Sequence, residues 1–457
     1  MSRSTSPVIT AVSTQAPGSS ATDSFAALGV PGKLVQSLRA AGIDAPFPIQ
    51  TATLPDSLAG RDVLGRGRTG SGKTVAFSLP TVVRLSESKH ARKPGAPRAL
   101  ILVPTRELAA QVNETISPLA KAMNMNTLVV VGGVKINPQI SALKHGVDIL
   151  IATPGRLEDL MKQRFAKLDH VEVTVLDEAD HMADLGFLPV VKRLLDATPK
   201  NGQRMLFSAT IDASVDVLVK RYLSSPVTHS VDSAASPVPA MTHHVMSVTS
   251  DNKPAVVREL VSGEGRTLAF TRTKYGAKKL AKQLTAAGIP AVELHGNLSQ
   301  NARVRNLAAF SDGDVRVLVA TDIAARGIHV DGVSLVVHVD PPAEHKAYLH
   351  RSGRTARAGA EGVVITVGTP DQRNDVRSLM KLAAITPKMH QVEPGAEVIR
   401  DLVGPAAPYV KPAPVQAEPA QAPRRPAAPR NGAARGSAPR GGSRNAPQRA
   451  RSQSRHR

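Results

Sequence analysis

Eight consecutive residues, Gly67-Arg68-Thr69-Gly70-Ser71-Gly72-Lys73-Thr74, carry the pattern G-x-x-x-x-G-K-[ST] in full. Its glycines let backbone N–H groups approach phosphate oxygens, Lys73 reaches a β- or γ-phosphate, and the Thr74 hydroxyl is a ligand for Mg²⁺. A Gly/Ser-rich turn could hold the same letters by chance. The apolar pair Val63-Leu64 before it and the helical stretch from Val75 supply the strand–loop–helix setting that a nucleotide loop needs. Further on, the apolar run Val171 to Leu176 ends in Asp177-Glu178-Ala179-Asp180. Acidic residues after a strand often only complement a helix N-terminus. With Lys73 upstream, Asp177 fits a Mg²⁺-holding carboxylate and Glu178 a group that polarises water, so the pair reads as hydrolysis. A third constellation, HRSGRTARAG (His350 to Gly359), sets Arg351, Arg354 and Arg357 within seven residues. They are either a solvated basic face or fingers that reach a transferring phosphoryl group.

Such residues need rigid elements behind them. RALILVP (Arg98 to Pro104), NTLVVVGG (Asn126 to Gly133), VDILIATP (Val147 to Pro154), VEVTVLDEAD (Val171 to Asp180) and RMLFSAT (Arg204 to Thr210) are apolar almost throughout. Strands covered on both faces require that composition. Helical patterns such as Thr105 to Ala120 fill the intervals, which predicts a doubly wound parallel sheet. The series then recurs as RTLAFTRTK (Arg266 to Lys274), PAVELHG (Pro290 to Gly296), VRVLVATD (Val315 to Asp322), SLVVHVDPP (Ser334 to Pro342) and GVVITVG (Gly362 to Gly368). Between the two lies VDSAASPVPA (Val231 to Ala240), small and proline-bearing, a natural joint. The expectation is a loose N-terminus over 1–23, domains over 24–230 and 241–385 with 231–240 as linker, a short extension over 386–403, and a tail over 404–457. In both series the polar residues stand where an apolar run stops, at the strand ends where open α/β sheets bind ligands.

Charge adds a partner class. The 457 residues hold 58 Lys+Arg against 37 Asp+Glu, a net +21. Residues 404–457 alone carry +10 and ten of the 35 prolines, too little apolar surface to offset chain entropy, so a disordered basic tail is expected. Such charge calls for a polyanion. With aromatics at 3 % and no Trp, a nucleic acid would be gripped mainly by its backbone. The absence of cysteine excludes disulfide frameworks and thiolate metal sites. No apolar run approaches a membrane span and the first residues lack a signal peptide's apolar core, so a cytoplasmic protein with no membrane partner is expected. His243, His244 and the scattered remaining histidines lack ligand spacing and are expected at the surface.

Asp-Glu-Ala-Asp and the motifs around it resemble the DEAD-box RNA helicase family, a superfamily 2 group, over roughly Phe25 to Leu382. GIDAPFPIQ (Gly42 to Gln50) is similar to the Q motif, which would make Gln50 the adenine reader, with Phe25 as the isolated aromatic upstream associated with the base. The resemblance implies an ATP site formed by Phe25, Gln50 and Arg68 to Thr74, with Mg²⁺ on Thr74 and Asp177. It implies RNA-backbone contacts from PTRELA (Pro104, Thr105, Arg106), Gly132-Gly133, TPGR (Thr153, Pro154, Gly155, Arg156) and, in ATDIAARGIHV, Thr321. Ser208-Ala209-Thr210, with Asp180, would couple hydrolysis to strand separation, and Arg354 and Arg357 would be the fingers. HGNLSQNAR (His295 to Arg303) completes the set in family order. The implied fold is two tandem RecA-like domains that close on ATP and RNA. Three positions depart from the pattern: Ile43 replaces an aromatic, Phe47 a hydroxyl residue, and His329 an Asp that resembles a ribose contact in relatives.

The function these residues imply is RNA-stimulated ATP hydrolysis coupled to local unwinding of short duplexes or to ribonucleoprotein remodelling. An ATP-gated RNA clamp serving as an assembly platform is the alternative, and a DNA helicase is more distant, disfavoured by the Q motif. Ribosome-assembly or RNA-degradation partners are family-level possibilities, and the tail reads as a sequence-independent RNA tether.

Overall fold

The computed structural model describes residues 24–67, 70–231, 241–325, 330, 332–356 and 360–412. The expected loose N-terminus, the joint from Asp232 on, the basic tail beyond Pro412, and Arg68, Thr69, His329 and Arg357 lie outside the described residues.

Alternating side chains on each apolar run serve two cores, which explains why the runs are unbroken. In the first half, Ile101, Ile151, Val175 and Phe207 pack with Phe77, Leu79 and Ile116 on one face. Their neighbours Leu100, Leu102, Leu150, Leu176 and Leu206 pack with Leu157, Met182 and Leu194 on the other. The strands are β1 (Val63–Arg66), β2 (Ala99–Leu102), β3 (Thr127–Val130), β4 (Ile149–Ala152), β5 (Val173–Asp177), β6 (Gln203–Ser208) and β7 (Val227–Ser230). They form one parallel sheet in the order β3-β4-β2-β5-β6-β1-β7.

The second half repeats the scheme with β8 (Met241–Ser247), β9 (Arg266–Phe270), β10 (Ala291–Leu294), β11 (Val317–Ala320), β12 (Val333–His338), β13 (Gly362–Gly368) and β14 (Lys388–Gln391). Their order, β10-β11-β9-β12-β13-β8-β14, is the first order advanced by seven. These are two tandem RecA-like sheets with helices on both faces, and every expected run forms a strand.

The order divides each carboxyl edge into two parts. In the first sheet β5, β6 and β1 are neighbours, so Asp177, Ser208 and Gly67 emerge side by side. On the other side β3, β4 and β2 present Gly132-Gly133, Thr153 and Thr105 together. One edge thus gathers the phosphate-binding motifs next to the motifs expected to hold RNA.

Three strands were not read from the sequence: β7 (VTHS), β8 (MTHHVMS) and β14 (KMHQ). Their polar letters hide them, and two are edge strands. The histidines among them correct an expectation. His244 is buried, and His243 bonds the Tyr348 hydroxyl at 2.7 Å. His338 on β12 is fully buried against the Tyr348 and Phe270 rings. His244 and His338 are thus buried in the second domain, and His243 is half-buried there. The extension expected over 386–403 supplies β14, which pairs with β8, and the helix Glu397–Val403, whose Ile399 is in the core. The tail expected from Gly404 continues along the second domain: Ala407 N–H donates to the Ser262 carbonyl at 2.9 Å and Val410 N–H to that of Gly288 at 3.0 Å.

Candidate nucleotide and RNA site

Beyond β1 the chain turns through Gly70 and Gly72, at φ +87° and +88°, into the helix Lys73–Glu87. Gly72 is obligatory here, because a Cβ would meet Gln50 Nε2 at 2.5 Å and the Phe47 ring at 2.7 Å. Lys73 is buried at the helix start, and its Nζ donates to the Gly67 carbonyl at 2.6 Å. Ser71 Oγ is buried in the loop, and Thr74 is half-buried beside Lys73.

Gln50 is held from two sides. Its Oε1 accepts from Phe47 N–H at 2.9 Å, which caps the helix Pro48–Leu58, and its Nε2 donates to the Gly72 carbonyl at 2.9 Å. The proposed base reader is therefore tied to the phosphate loop itself. Phe25, the aromatic expected beside the base, is 1 % exposed and packs in the first core. Phe47 is the ring that reaches solvent beside the loop, 46 % exposed.

At the end of β5 the environment pushes two adjacent carboxyls apart. Burial raises Asp177 to about 7, against the pull of the Lys73 charge and the 3.0 Å hydrogen bond from Glu178 N–H. Burial would raise Glu178 too. The hydrogen bond and charge of His181, at 3.2 Å, together with the charges of Arg354 and Lys73, bring it down to about 2. Glu178 occupies the left-handed region at φ +50°, which turns the chain sharply into the helix Ala179–Asp184. The two neighbouring carboxyls are therefore pushed in opposite directions by the same corner of the fold. Among the described residues, no three His, Cys, Asp or Glu cluster as a metal cage.

Asp180 ties the ends of β5 and β6 together. Its Oδ2 accepts from Thr210 N–H at 2.9 Å and from Thr210 Oγ1 at 2.8 Å, its N–H donates to Ser208 Oγ at 3.3 Å, and Ser208 Oγ donates to the Thr210 carbonyl at 2.8 Å. Lys73, Glu178, Asp180, His181 and Ala209 line a cleft whose opposite wall is His350 and Arg354 of the second domain. His350 Nε2 lies 4.0 Å from Asp180 Oδ2. Arg351 plays a different part: it is buried, forks onto Asp322 and donates to the Asp340 carbonyl at 2.7 Å.

The RNA candidates of the first sheet also meet. Thr105 Oγ1 caps the helix Arg106–Ala122 by accepting from Leu108 N–H at 3.2 Å, and Pro104 is buried just before it. The Arg106 guanidinium lies against Gly133, where a Cβ would stand 1.9 Å from Nη1, while Gly132 allows ordinary contact. Arg156 donates twice to the Val134 carbonyl at 3.3 Å, joining the TPGR turn to the same loop. Thr153 and Pro154 are buried at the start of the helix Pro154–Lys162, and Gly155 faces open space. Across the cleft, Thr321 N–H donates to the Leu294 carbonyl at 3.2 Å, fixing the ends of β10 and β11 together.

Sequence reasoning assigned no role to several residues here. His181 was signalled only by its position, three after Glu178. Arg106 also reaches Gln300 Oε1 of the second domain at 3.0 Å, and Arg303 pairs with the buried Glu107 at 2.7 Å.

Two RecA-like sheets sharing one phosphate-loop cleft define a tandem RecA-like core. Residues 47–218 match the DEAD/DEAH box helicase family and residues 252–359 the helicase conserved C-terminal domain. The chain belongs to the DEAD-box helicase family. It is 37 % identical to the ATP-dependent RNA helicase RhlB of Pseudomonas syringae pv. tomato, over 78 % of this chain and 93 % of the relative. The DEAD-box ATP-dependent RNA helicase 9, mitochondrial, of Arabidopsis thaliana is 39 % identical over 78 % of this chain and 59 % of its own length. The chain spans roughly half to three fifths of the plant relatives it matches. The structure of S. cerevisiae Dbp5 bound to RNA and ADP BeF3 superposes with a TM-score of 0.73 at 29 % identity, covering 83 % of this chain and all of the other.

Proposed function

We propose that this chain is an RNA-stimulated ATP hydrolase that unwinds short RNA duplexes or remodels ribonucleoproteins. The cleft carries the reading, because it joins Lys73 and Glu178 of one sheet to Arg354 of the other. Turnover then requires the two sheets to meet, which is how strand binding and hydrolysis become linked. The activities of the named relatives, and RNA in the Dbp5 structure, support the same choice.

In this reading, with 24–230 and 241–403 as the two working halves, Lys73 exchanges the Gly67 carbonyl for phosphate oxygen. Glu178, ionised and oriented by His181, accepts a hydrogen bond from the attacking water. Arg354, with Arg357 as its expected companion, offsets charge on the transferring phosphoryl group. Gln50 reads adenine. Asp180 and the Ser208–Thr210 turn relay the state of the cleft. Thr105, Arg106, Gly132, Gly133, the Thr153–Arg156 turn and Thr321 hold the RNA backbone. The donors fit Mg²⁺: one hydroxyl, Thr74, and one buried carboxylate, Asp177, suit a hard cation that takes its remaining oxygens from phosphate and water. When bound there it would neutralise phosphate charge. No helix among the described residues is long and apolar enough to cross a membrane. We assign the chain to the cytoplasm, where ATP and RNA occur together, and cell fractionation tests that assignment.

The deciding experiment is strand displacement with matched RNA and DNA duplexes, run beside ATP hydrolysis with and without RNA. ATP-dependent separation of the RNA duplex alone is expected. Hydrolysis without separation would favour the clamp, and equal separation of DNA would overturn the RNA assignment.

A further inference from the structure

The helix His345–Ser352 and the turn after it carry three basic residues at intervals of four, Lys346, His350 and Arg354. They point at the first domain. His350 meets Asp180 and Arg354 lines the cleft with Glu178, while Lys346 stands apart from that cleft at the far end of the stripe. Its Nζ bonds Asp212 Oδ2 at 2.5 Å across the two domains. Asp212 lies two residues beyond Thr210, at the head of the helix Ala213–Tyr222, and its Oδ1 accepts from Ser214 N–H at 2.9 Å and Val215 N–H at 3.0 Å. One carboxylate therefore uses one oxygen to start a helix and the other to hold the neighbouring domain.

We propose that Lys346 and Asp212 are a positioning pair, which docks the helix bearing His350 and Arg354 onto the first domain and so sets how often Arg354 reaches the cleft. The proposal rests on the reading of Arg354 as a contributor to ATP hydrolysis. Both side chains are about three-quarters shielded, at 27 % and 24 % exposure, so the pair is less screened than a surface bridge. The titration directions agree. Burial would raise the Asp212 carboxyl, but the Lys346 hydrogen bond and charge, together with the Val215 and Ser214 N–H bonds, outweigh it and the group falls below its ordinary value. The same bond raises Lys346, with Asp184 and Asp180 adding to it, so the lysine enters an acidic wall of the first domain. The pair bonds neither the phosphate loop nor the Gly132-Gly133 loop, so it acts by orienting the helix from His345 and the Arg354 turn at its end.

The test is a double-mutant cycle in the full chain. Asp212→Asn keeps an oxygen for the helix cap and removes the charge. Lys346→Gln shortens and neutralises the other partner, and Lys346→Arg keeps the charge. Two readouts are taken: kcat at saturating ATP and RNA, and the distance between fluorophores attached one to each domain. Each neutral variant should lower kcat and the closed population by about five-fold, with little further loss in the double variant. Lys346→Glu, facing three aspartates, should fall below Lys346→Gln, and Lys346→Arg should stay within about two-fold of the parent. Raising salt at saturating RNA should slow the parent more than the double variant. Additive losses, or Gln and Glu variants that close like the parent, overturn the pair. A parent that closes without hydrolysing ATP faults the hydrolase reading instead, and the fluorophore distances still decide the pair.

Discussion

Gly133→Ala isolates one contact of the proposed RNA face by steric means alone. The added Cβ would stand 1.9, 2.4 and 2.7 Å from Nη1, Cζ and Nη2 of Arg106. Ordinary contact lies near ~3.5 Å, so the guanidinium must retreat by about 1.5 Å. That breaks its 3.0 Å bond to Gln300 and withdraws it from the loop. The backbone, at φ +73°, adds about 1 kcal/mol of strain, small against a stability of roughly 5–15 kcal/mol, so the variant folds. A charge-assisted contact is worth about 1.5–3 kcal/mol, which sets the expected loss of RNA affinity at about 10- to 100-fold. One phosphate contact fewer should also flatten the slope of log K against log salt by about 0.7. The assay is a salt titration of single-stranded RNA binding, with Arg106→Ala and the double variant alongside. The double variant should bind no worse than Arg106→Ala alone. Parent affinity and slope in Gly133→Ala, or losses that add in full, would refute the assignment of Arg106. Gly155→Ala is the control, since its Cβ meets nothing within 4 Å and any loss there reports the RNA itself.

Lys73→Ala should weaken ATP binding, whereas Glu178→Gln should bind ATP normally, hydrolyse it slowly and stay closed on RNA; parent turnover in Glu178→Gln would remove its role with water. The second domain should lose stability in mild acid. His338 is held well below its ordinary value by burial, with Arg351 and His243 adding to it, whereas the unfolded chain protonates this histidine near ~6.5. Its contribution is whole above that value and is lost as pH falls, about 1.4 kcal/mol between about pH 7.5 and 5.5. Calorimetry should show the second-domain transition dropping by a few degrees, and His338→Asn should flatten the dependence; identical slopes would refute it.

The sheets were legible because strands buried on two faces must be apolar at every position, as Leu100-Ile101-Leu102 and Val317-Leu318-Val319 are. β8 escaped because partners replace apolarity there: His243 has the Tyr348 hydroxyl, and His244 stacks on His390. A single sequence shows composition, and partners belong to the fold. The phosphate loop and the Asp177–Asp180 turn were legible for the opposite reason, since their chemistry needs fixed residue types at fixed local spacing. Lys346 and Asp212 sit 134 residues apart and carry no local pattern, so only the meeting of the two sheets reveals them.

What the motifs could not convey is how each polar group is satisfied within the chain. Lys73 holds the Gly67 carbonyl, Gln50 the Gly72 carbonyl, Arg106 the Gln300 amide and Arg156 the Val134 carbonyl. A buried donor without a partner costs about 1–3 kcal/mol, so a site built for phosphates must supply substitutes for them. Binding is then an exchange of hydrogen bonds, and its net strength is the difference between ligand and substitute. Three of these four substitutes are backbone carbonyls of the loops being rearranged, and the fourth belongs to the other domain. On the proposed roles, taking up ATP would free the Gly67 and Gly72 carbonyls on the phosphate loop, while taking up RNA would free Gln300 on the second domain. Each ligand would then alter the local bonding of its own half of the cleft edge, and the Asp180–Thr210 network stands at the ends of β5 and β6, on the strand edge that the two halves share.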